Sequence, residues 1–330
     1  MNKKSLLLIF LVFSLILTLT GCAEKKEYNI DDYFFELDYK DDFKILQLTD
    51  IHFNNKDDHQ IHYKFMDLTI KDADADLIII TGDLFTFADK KTAIELFEFI
   101  DSYGVPWTVC FGNHDEQAYF SIDWLTDLLN HYGNNCLFKD IKDDNVHGRS
   151  NFVINLMDGN NIHTQIIVMD SNKLNFSYFG YDYIKESQIL WYERVVNRAK
   201  ELNGGNIVES ILYFHIPLPE IDDAWAKAEE GSADAVLERG EKRENACPPL
   251  KNTNFFNKIL ELGSTKAINT GHDHVNNFRI KYKGIYLTYG IKATSYIYYD
   301  DDMLGGLSLT VKRDHSLEYT DYFHTYSEVE

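Results

Sequence analysis

Thr108-Val109-Cys110-Phe111-Gly112-Asn113-His114-Asp115 runs four β-favouring or apolar residues into a glycine, then presents an amide, an imidazole and a carboxylate with nothing between them. Such a polar triplet is out of place in a core, where each group needs its own partner away from water. Strand ends beside a turn are where open α/β sheets present ligand chemistry. The stretch therefore reads as a buried strand delivering functional groups.

Four other stretches share this form. Lys44 to Thr49 is a short strand-like run followed at once by Asp50-Ile51-His52. In extended chain, residues i and i+2 point to the same side, so Asp50 and His52 converge. Asp76 to Thr81 is nearly all apolar, as suits a strand covered on both faces, and ends in Gly82-Asp83. Ser210 to Phe214 ends in His215-Ile216-Pro217, and Lys266 to Thr270 ends in Gly271-His272-Asp273-His274. Helix-like patterns over 60–73 and 93–103, the second closed by Gly104 and Pro106, separate the first three strands. That alternation predicts a βαβ architecture.

Further helices are expected near 124–131, 184–202 and 254–262, and further strands over 151–156 and 164–169. Residues 220–250 are polar and rich in glutamate. They read as a long surface excursion, either a lid or a solvated loop without a role. From Ile285 to Tyr326 apolar and polar residues alternate, which predicts antiparallel strands whose aromatics are sheet core.

At the N-terminus, Lys3 and Lys4 precede an apolar run from Leu6 to Leu19 and then Thr20-Gly21-Cys22. This is the layout of a secretory signal, and the run is short of the ~20 apolar residues of a spanning helix. A plain membrane anchor is the competing reading. Leu19-Thr20-Gly21-Cys22 resembles the bacterial lipobox, whose cysteine becomes the lipidated first residue. That resemblance implies a signal peptide over 1–21 and a lipidated tether with a possible edge strand over 22–42. The catalytic domain, 43–330, would then be membrane-anchored outside the cytoplasm.

The chain has 53 acidic and 32 basic residues, a net charge of −21, and loses two more positive charges with Lys3 and Lys4. Such a surface repels phosphate backbones, so bulk nucleic-acid binding is not expected. Five prolines and no Gly/Ser-rich tract argue against a hinge between domains. With Cys22 set aside, Cys110 reads as a buried apolar residue, while Cys136 and Cys247 are either bridged or free.

The strand-end groups are Asp50, His52, Asp83, Asn113, His114, His215, His272 and His274. Mixed carboxylate and imidazole donors suit Mn, Fe or Zn better than Ca or Mg. They outnumber the needs of one tetrahedral ion. Two divalent or trivalent ions ~3.5–4 Å apart, sharing a carboxylate, would use them all. Water between such ions loses a proton near neutral pH and can attack phosphorus in line.

In order and spacing, Asp50-x-His52, Gly82-Asp83, Gly112-Asn113-His114-Asp115, His215 and Gly271-His272-x-His274 resemble the calcineurin-like metallophosphoesterases over about 43–299. The resemblance implies an α/β fold, a four-layer α/β/β/α sandwich with two mixed β-sheets. It implies a hydrolase acting on phosphate ester bonds, a phosphatase or phosphodiesterase. By position, Asp50, His52 and His274 would hold one metal, Asn113, His215 and His272 the other, with Asp83 bridging. His114 would stabilise the transition state and protonate the leaving oxygen, and Asp115 would orient His114.

Gly271 to Asn277, His215 to Pro219 and Gly148 to Asn151 look like segments of the purple acid phosphatase-like branch. Thr86 stands where the true purple enzymes have a metal-bound tyrosine. A non-catalytic surface lipoprotein that binds a ligand or metal on the same scaffold is the alternative; the complete ligand set and His114 favour the enzyme. His59, His62, His131, His147, His163, His315 and His324 sit in no constellation and read as structural. Arg149 and Arg279 either contact phosphate or are ordinary surface arginines.

Overall fold

Period-two alternation in the central strands splits their apolar side chains between two cores. The computed structural model describes residues 28–175 and 180–329; the signal segment, Cys22 and the first part of the tether lie outside them. In the first half the strands are β1 (Phe34–Asp38), β2 (Phe43–Leu48), β3 (Leu77–Thr81), β4 (Trp107–Cys110), β5 (Phe152–Asp158), β6 (Asn161–Val168), β7 (Leu174–Asn175) and β8 (Gly180–Tyr181). β9 (Glu209–Tyr213), β10 (Ala235–Arg239), β11 (Thr265–Thr270), β12 (Arg279–Tyr282), β13 (Ile285–Tyr289), β14 (Gly305–Val311) and β15 (Leu317–Phe323) follow. The α-helices are α1 (Gln60–Ala73), α2 (Lys90–Asp101), α3 (Ile122–Asn130), α4 (Glu186–Leu202), α5 (Glu220–Glu229) and α6 (Phe255–Leu262).

One sheet has the order β1-β5-β6-β9-β11-β13-β12-β10 and the other β15-β14-β2-β3-β4; β7 and β8 form a separate small ribbon. Both large sheets mix parallel and antiparallel pairs. From β5, Phe152, Ile154 and Leu156 join the core shared with β2, β3 and β4, whereas Val153 faces the opposite side. β9 repeats this, with Ile211 and Tyr213 inside the sandwich and Leu212 turned to the helices. α1 and α2 pack on the smaller sheet through Met66, Ile70, Leu96 and Phe97, and α4 and α6 cover the larger one through Trp191, Val195 and Phe256. The result is the four-layer α/β/β/α sandwich. Each such side chain, fully buried, contributes about 1.5–3 kcal/mol.

β1 is the expected edge strand, and it pairs in parallel with β5. Two expectations need correction. The C-terminal strands do not complete one antiparallel sheet: β13 joins the larger sheet parallel to β11, while β14 and β15 extend the smaller one. Residues 220–250 are not one loop, because they contain α5 and the edge strand β10. α5 buries only Ile221 and Ala224, and β10 only Ala235, so neither shows an apolar period. Three acidic residues in the first turn of α5 complement its N-terminal dipole.

His62 on α1 is buried with its Nδ1 lacking a partner. Burial, then the neighbouring His59 and Lys292, lower it to about 4. The unfolded chain therefore takes up a proton near pH 6.5 that the folded protein refuses until about 4. Stability is full above that range and falls as pH drops through it, by on the order of 2 kcal/mol after solvent screening. Denaturation midpoints across pH 4–7 are expected to flatten in His62→Phe; a slope unchanged from wild type would contradict this assignment.

Candidate metal centre

Five strand ends meet between the sheets. Asp50 and His52 follow β2, Asp83 follows β3, Asn113 and His114 follow β4, His215 follows β9, and His272 and His274 follow β11. Three of these strands belong to the smaller sheet and two to the larger, so the site straddles the sandwich. Backbone bonds carry the ladder past the strand ends: His52 N donates to Asp83 O (2.8 Å) and Gly271 N to His215 O (3.0 Å).

Asp50, His52, Asp83 and His272 hold positive φ angles of 55°, 54°, 51° and 84°. Each such residue costs about 1–3 kcal/mol and persists where its surroundings impose it, typically at functional sites. The glycine before a ligand also has a steric cause. A Cβ at Gly271 would lie 2.0 Å from Thr49 Oγ1 and 2.8 Å from Asp50 Oδ2, and one at Gly112 would lie 2.3 Å from Asp83 Oδ1.

Two groups of potential ligands result, Asp50, His52, Asp83 and His274 in one and Asp83, His215 and His272 in the other, with donor atoms within 4.8 Å of one another in each. Asp83 belongs to both. Its Oδ2 lies 3.1 Å from His215 Nε2 and 3.6 Å from His52 Nε2. His52 Nε2 and His274 Nε2 face each other at 3.0 Å, and His272 Nδ1 faces His215 Nε2 at 3.3 Å. The rings are held from behind. His215 Nδ1 donates to Thr81 O (2.8 Å) and His274 Nδ1 to Tyr298 O (2.9 Å), which turns each Nε2 inward. His52 Nδ1 meets Thr86 Oγ1 at 2.8 Å, so Thr86 supports a ligand ring.

The residues fit metal ions. Asp50 Oδ1 and Asn113 Oδ1 are buried acceptors without a hydrogen-bond partner, a condition that costs about 1–3 kcal/mol per group. Lone pairs and carboxylate oxygens converge here with few donors among them, and a cation is what such a set completes.

The electrostatics agree. Burial disfavours the Asp50 and Asp83 carboxylates, but facing imidazoles, with Lys292 also acting on Asp50, more than offset it and hold both well below the usual range. Burial also opposes charge on His215, yet Asp83 raises it to about 10. His272, buried beside His215, falls to about 3. The two buried carboxylates thus stay ionised and hold a positive charge on the imidazole nearest Asp83.

Asp115 is corrected by the geometry. Its carboxylate accepts four backbone N–H groups, Leu84 (2.8 Å), Phe85 (3.1 Å), Gly112 (2.7 Å) and Asp83 (3.2 Å), and makes no bond to the His114 ring. Burial and the Asp83 charge push it up, against the four amides. Asp115 therefore positions the loop that carries Asp83. His114 Nδ1 instead meets Gln117 Oε1 at 2.8 Å, and His114 N donates to Asp83 Oδ1 at 2.7 Å.

Sequence reasoning also passed over Lys292, fully enclosed, whose Nζ donates to Asp50 O at 2.7 Å. Its only mark in the sequence is a lysine inside the apolar run Ile291-Lys292-Ala293. The segment after β10 is a strap on the ligand loop: Arg243 N and Glu244 N donate to Asn276 Oδ1, and Cys247 N donates to Asp273 Oδ2. Cys247 is a free, exposed thiol and Cys136 a free, buried one, so the two form no disulfide. Arg149 pairs with Asp140 (2.7 Å) and Asp123 (2.6 Å), and Arg279 lies 3.6 Å from Glu238 and over the Tyr319 ring. A cleft of about 770 Å³ opens beside Gly112, with Glu116, Asp123, Asp170 and Lys173 on its walls.

Residues 43–276 match the profile of the calcineurin-like phosphoesterases, a span that contains both groups of potential ligands. The chain belongs to that family. Membership puts this phosphoesterase among the phosphate-ester hydrolases. Its relatives include a protein named probable inactive purple acid phosphatase 29 from Arabidopsis thaliana, 28% identical across 88% of this chain and 82% of its own length. The phosphatase DCR2 of Saccharomyces cerevisiae is 25% identical across 72% of this chain and 45% of its own. Among solved structures, a dimetal phosphatase from Danio rerio superposes with a TM-score of 0.54 at 12% identity, covering 87% of this chain and 100% of its own, a likeness of fold.

Proposed function

We propose that this phosphoesterase hydrolyses phosphate esters at a two-metal centre, with Asp50, His52 and His274 on one ion, Asn113, His215 and His272 on the other, and Asp83 shared. One observation carries the reading: Asp83 stands in both ligand groups. Two bound ions would neutralise phosphate charge and activate water. The protein's own residues do the rest. The bond from His114 N to Asp83 Oδ1 ties the histidine to the bridge, and Gln117 Oε1 holds Nδ1. Protonated His114 then has Nε2–H free to give to the leaving oxygen.

The proposal extends to the N-terminus, with 1–21 as a lipoprotein signal, Cys22 lipidated, 22–42 a tether and 43–330 the catalytic domain, working outside the cytoplasm at a membrane surface. Mass spectrometry of the mature N-terminus would find diacylglyceryl-cysteine; an unmodified Met1 would refute it.

A second reading is supported by the word "inactive" in the name of the Arabidopsis relative: a surface lipoprotein that binds metal or ligand without turnover. One assay separates the two. The purified protein is expected to hydrolyse a chromogenic phosphomonoester or diester with Mn, Fe or Zn, to stop in chelator, and to recover on metal return. Metal uptake by folded protein with no turnover of either ester would favour the binding protein.

A further inference from the structure

Among the described residues five aromatic side chains are exposed, Phe87, Tyr119, Tyr298, Tyr299 and Phe323. Phe323 lies on β15 next to the Arg239 guanidinium. The other four stand on loops of the centre. Phe87 is on the loop that begins at Asp83, and Tyr119 on the loop that begins at His114. Tyr298 stacks on His274 with centroids 4.2 Å apart, and Tyr299 follows it. Scattered exposed apolar residues are ordinary, but their collection around one centre marks a binding surface.

Phe87 and Tyr119 form a pair, centroids 6.2 Å apart and planes inclined by 31°. Their outward position is built into the loops. Phe85 and Phe120 beside them are buried and pack edge to face at 5.6 Å, and Tyr119 N donates to Ala88 O at 2.8 Å. The loop from the bridging aspartate and the loop from His114 are thus zipped together, with one aromatic pair inside and one outside. Phe87 is held at a φ of 55°, which a bulky residue rarely adopts and which clusters at ligand clamps.

We infer that Phe87 and Tyr119 are the platform for the leaving group of the ester, and that this group presents a flat aromatic face. The inference rests on the phosphoesterase reading. A leaving oxygen that takes its proton from His114 would sit at the start of the loop that carries Tyr119. A ring there meets two exposed π-faces by offset stacking or edge contact. A phenyl group and a nucleobase share this chemistry.

Benzyl phosphate and cyclohexylmethyl phosphate have leaving groups of like size and basicity and differ in the π-face. The wild-type protein is expected to show a KM about two- to tenfold lower for the benzyl ester. The double variant Phe87→Leu/Tyr119→Leu, which keeps apolar bulk, is expected to lose that ratio, and Phe323→Leu to keep it. A nucleoside 5′-phosphate set against ribose 5-phosphate separates nucleobase from phenyl as the source of the face. Equal KM within both pairs, or a preference that survives the double variant, overturns the platform. If no ester is turned over, the phosphoesterase reading fails first, and equilibrium titration with benzylphosphonate against cyclohexylmethylphosphonate still decides. Several-fold tighter binding of the first, lost in the double variant, supports the platform. Equal affinity overturns it and leaves the exposed rings to a macromolecular partner.

Discussion

Replacing Asp83 with asparagine is expected to stop ester turnover and, on the proposed two-metal reading, to take the bound-metal count from two to one or none while the protein stays folded. The substitution keeps shape, and asparagine tolerates the left-handed backbone that Asp83 occupies (φ 51°). Its carbonyl can still accept His114 N, which Asp83 Oδ1 does at 2.7 Å. What is lost is the charge at Oδ2, the atom 3.1 Å from His215 Nε2 and 3.6 Å from His52 Nε2. An amide NH2 there offers protons to a set of acceptors that needs a cation. Groups that merely support a metal ligand are worth about 10–100-fold, so loss of the shared ligand should exceed about 100-fold. Metal analysis, a melting curve and the ester assay read the three effects together. Two ions bound at a rate within about tenfold of wild type would remove Asp83 from its proposed place.

Asp115→Asn is expected to lower stability and turnover together. Each Asp115 oxygen accepts two backbone N–H groups, from Leu84 and Phe85 on one side and Gly112 and Asp83 on the other. Asparagine turns one oxygen into a donor facing two donors. Two orphaned amides at about 1–3 kcal/mol each put the loss on the order of 3–5 kcal/mol. Turnover falls because the same amides fix the loop that presents Asp83. Denaturant midpoints and the turnover rate measure this. If stability held and only turnover fell, Asp115 would be acting through the His114 imidazole after all, and the positioning role would be wrong.

The difference between these residues explains how far the sequence could be read. Asp50, Asp83, His215 and His272 were legible because each follows its own apolar strand, and a strand end has one place to go in an α/β sandwich. Gly112 and Gly271 were legible as companions, because only a residue without Cβ lets Asp83 and Thr49 come so close. Asp115 was misread because adjacency along the chain suggested His114, while the partners that matter come from the loop after β3. Lys292 was invisible, since its ammonium bonds to the backbone oxygen of Asp50, far away in sequence. α5 and β10 were missed because both are nearly unburied, so pattern had nothing to report.

The centre draws its potential ligands from three strands of one sheet and two of the other, with Asp83 in both groups. Neither sheet carries a working half. A chain split between the sheets, or one that lost an edge of the seam, would inherit ligands but no chemistry. Each bound ion would be a rivet across that seam, so sliding of one sheet along the other is the deformation that loading would suppress. Scarcity of metal would then register twice, as idle sites and as a softer particle more open to proteases.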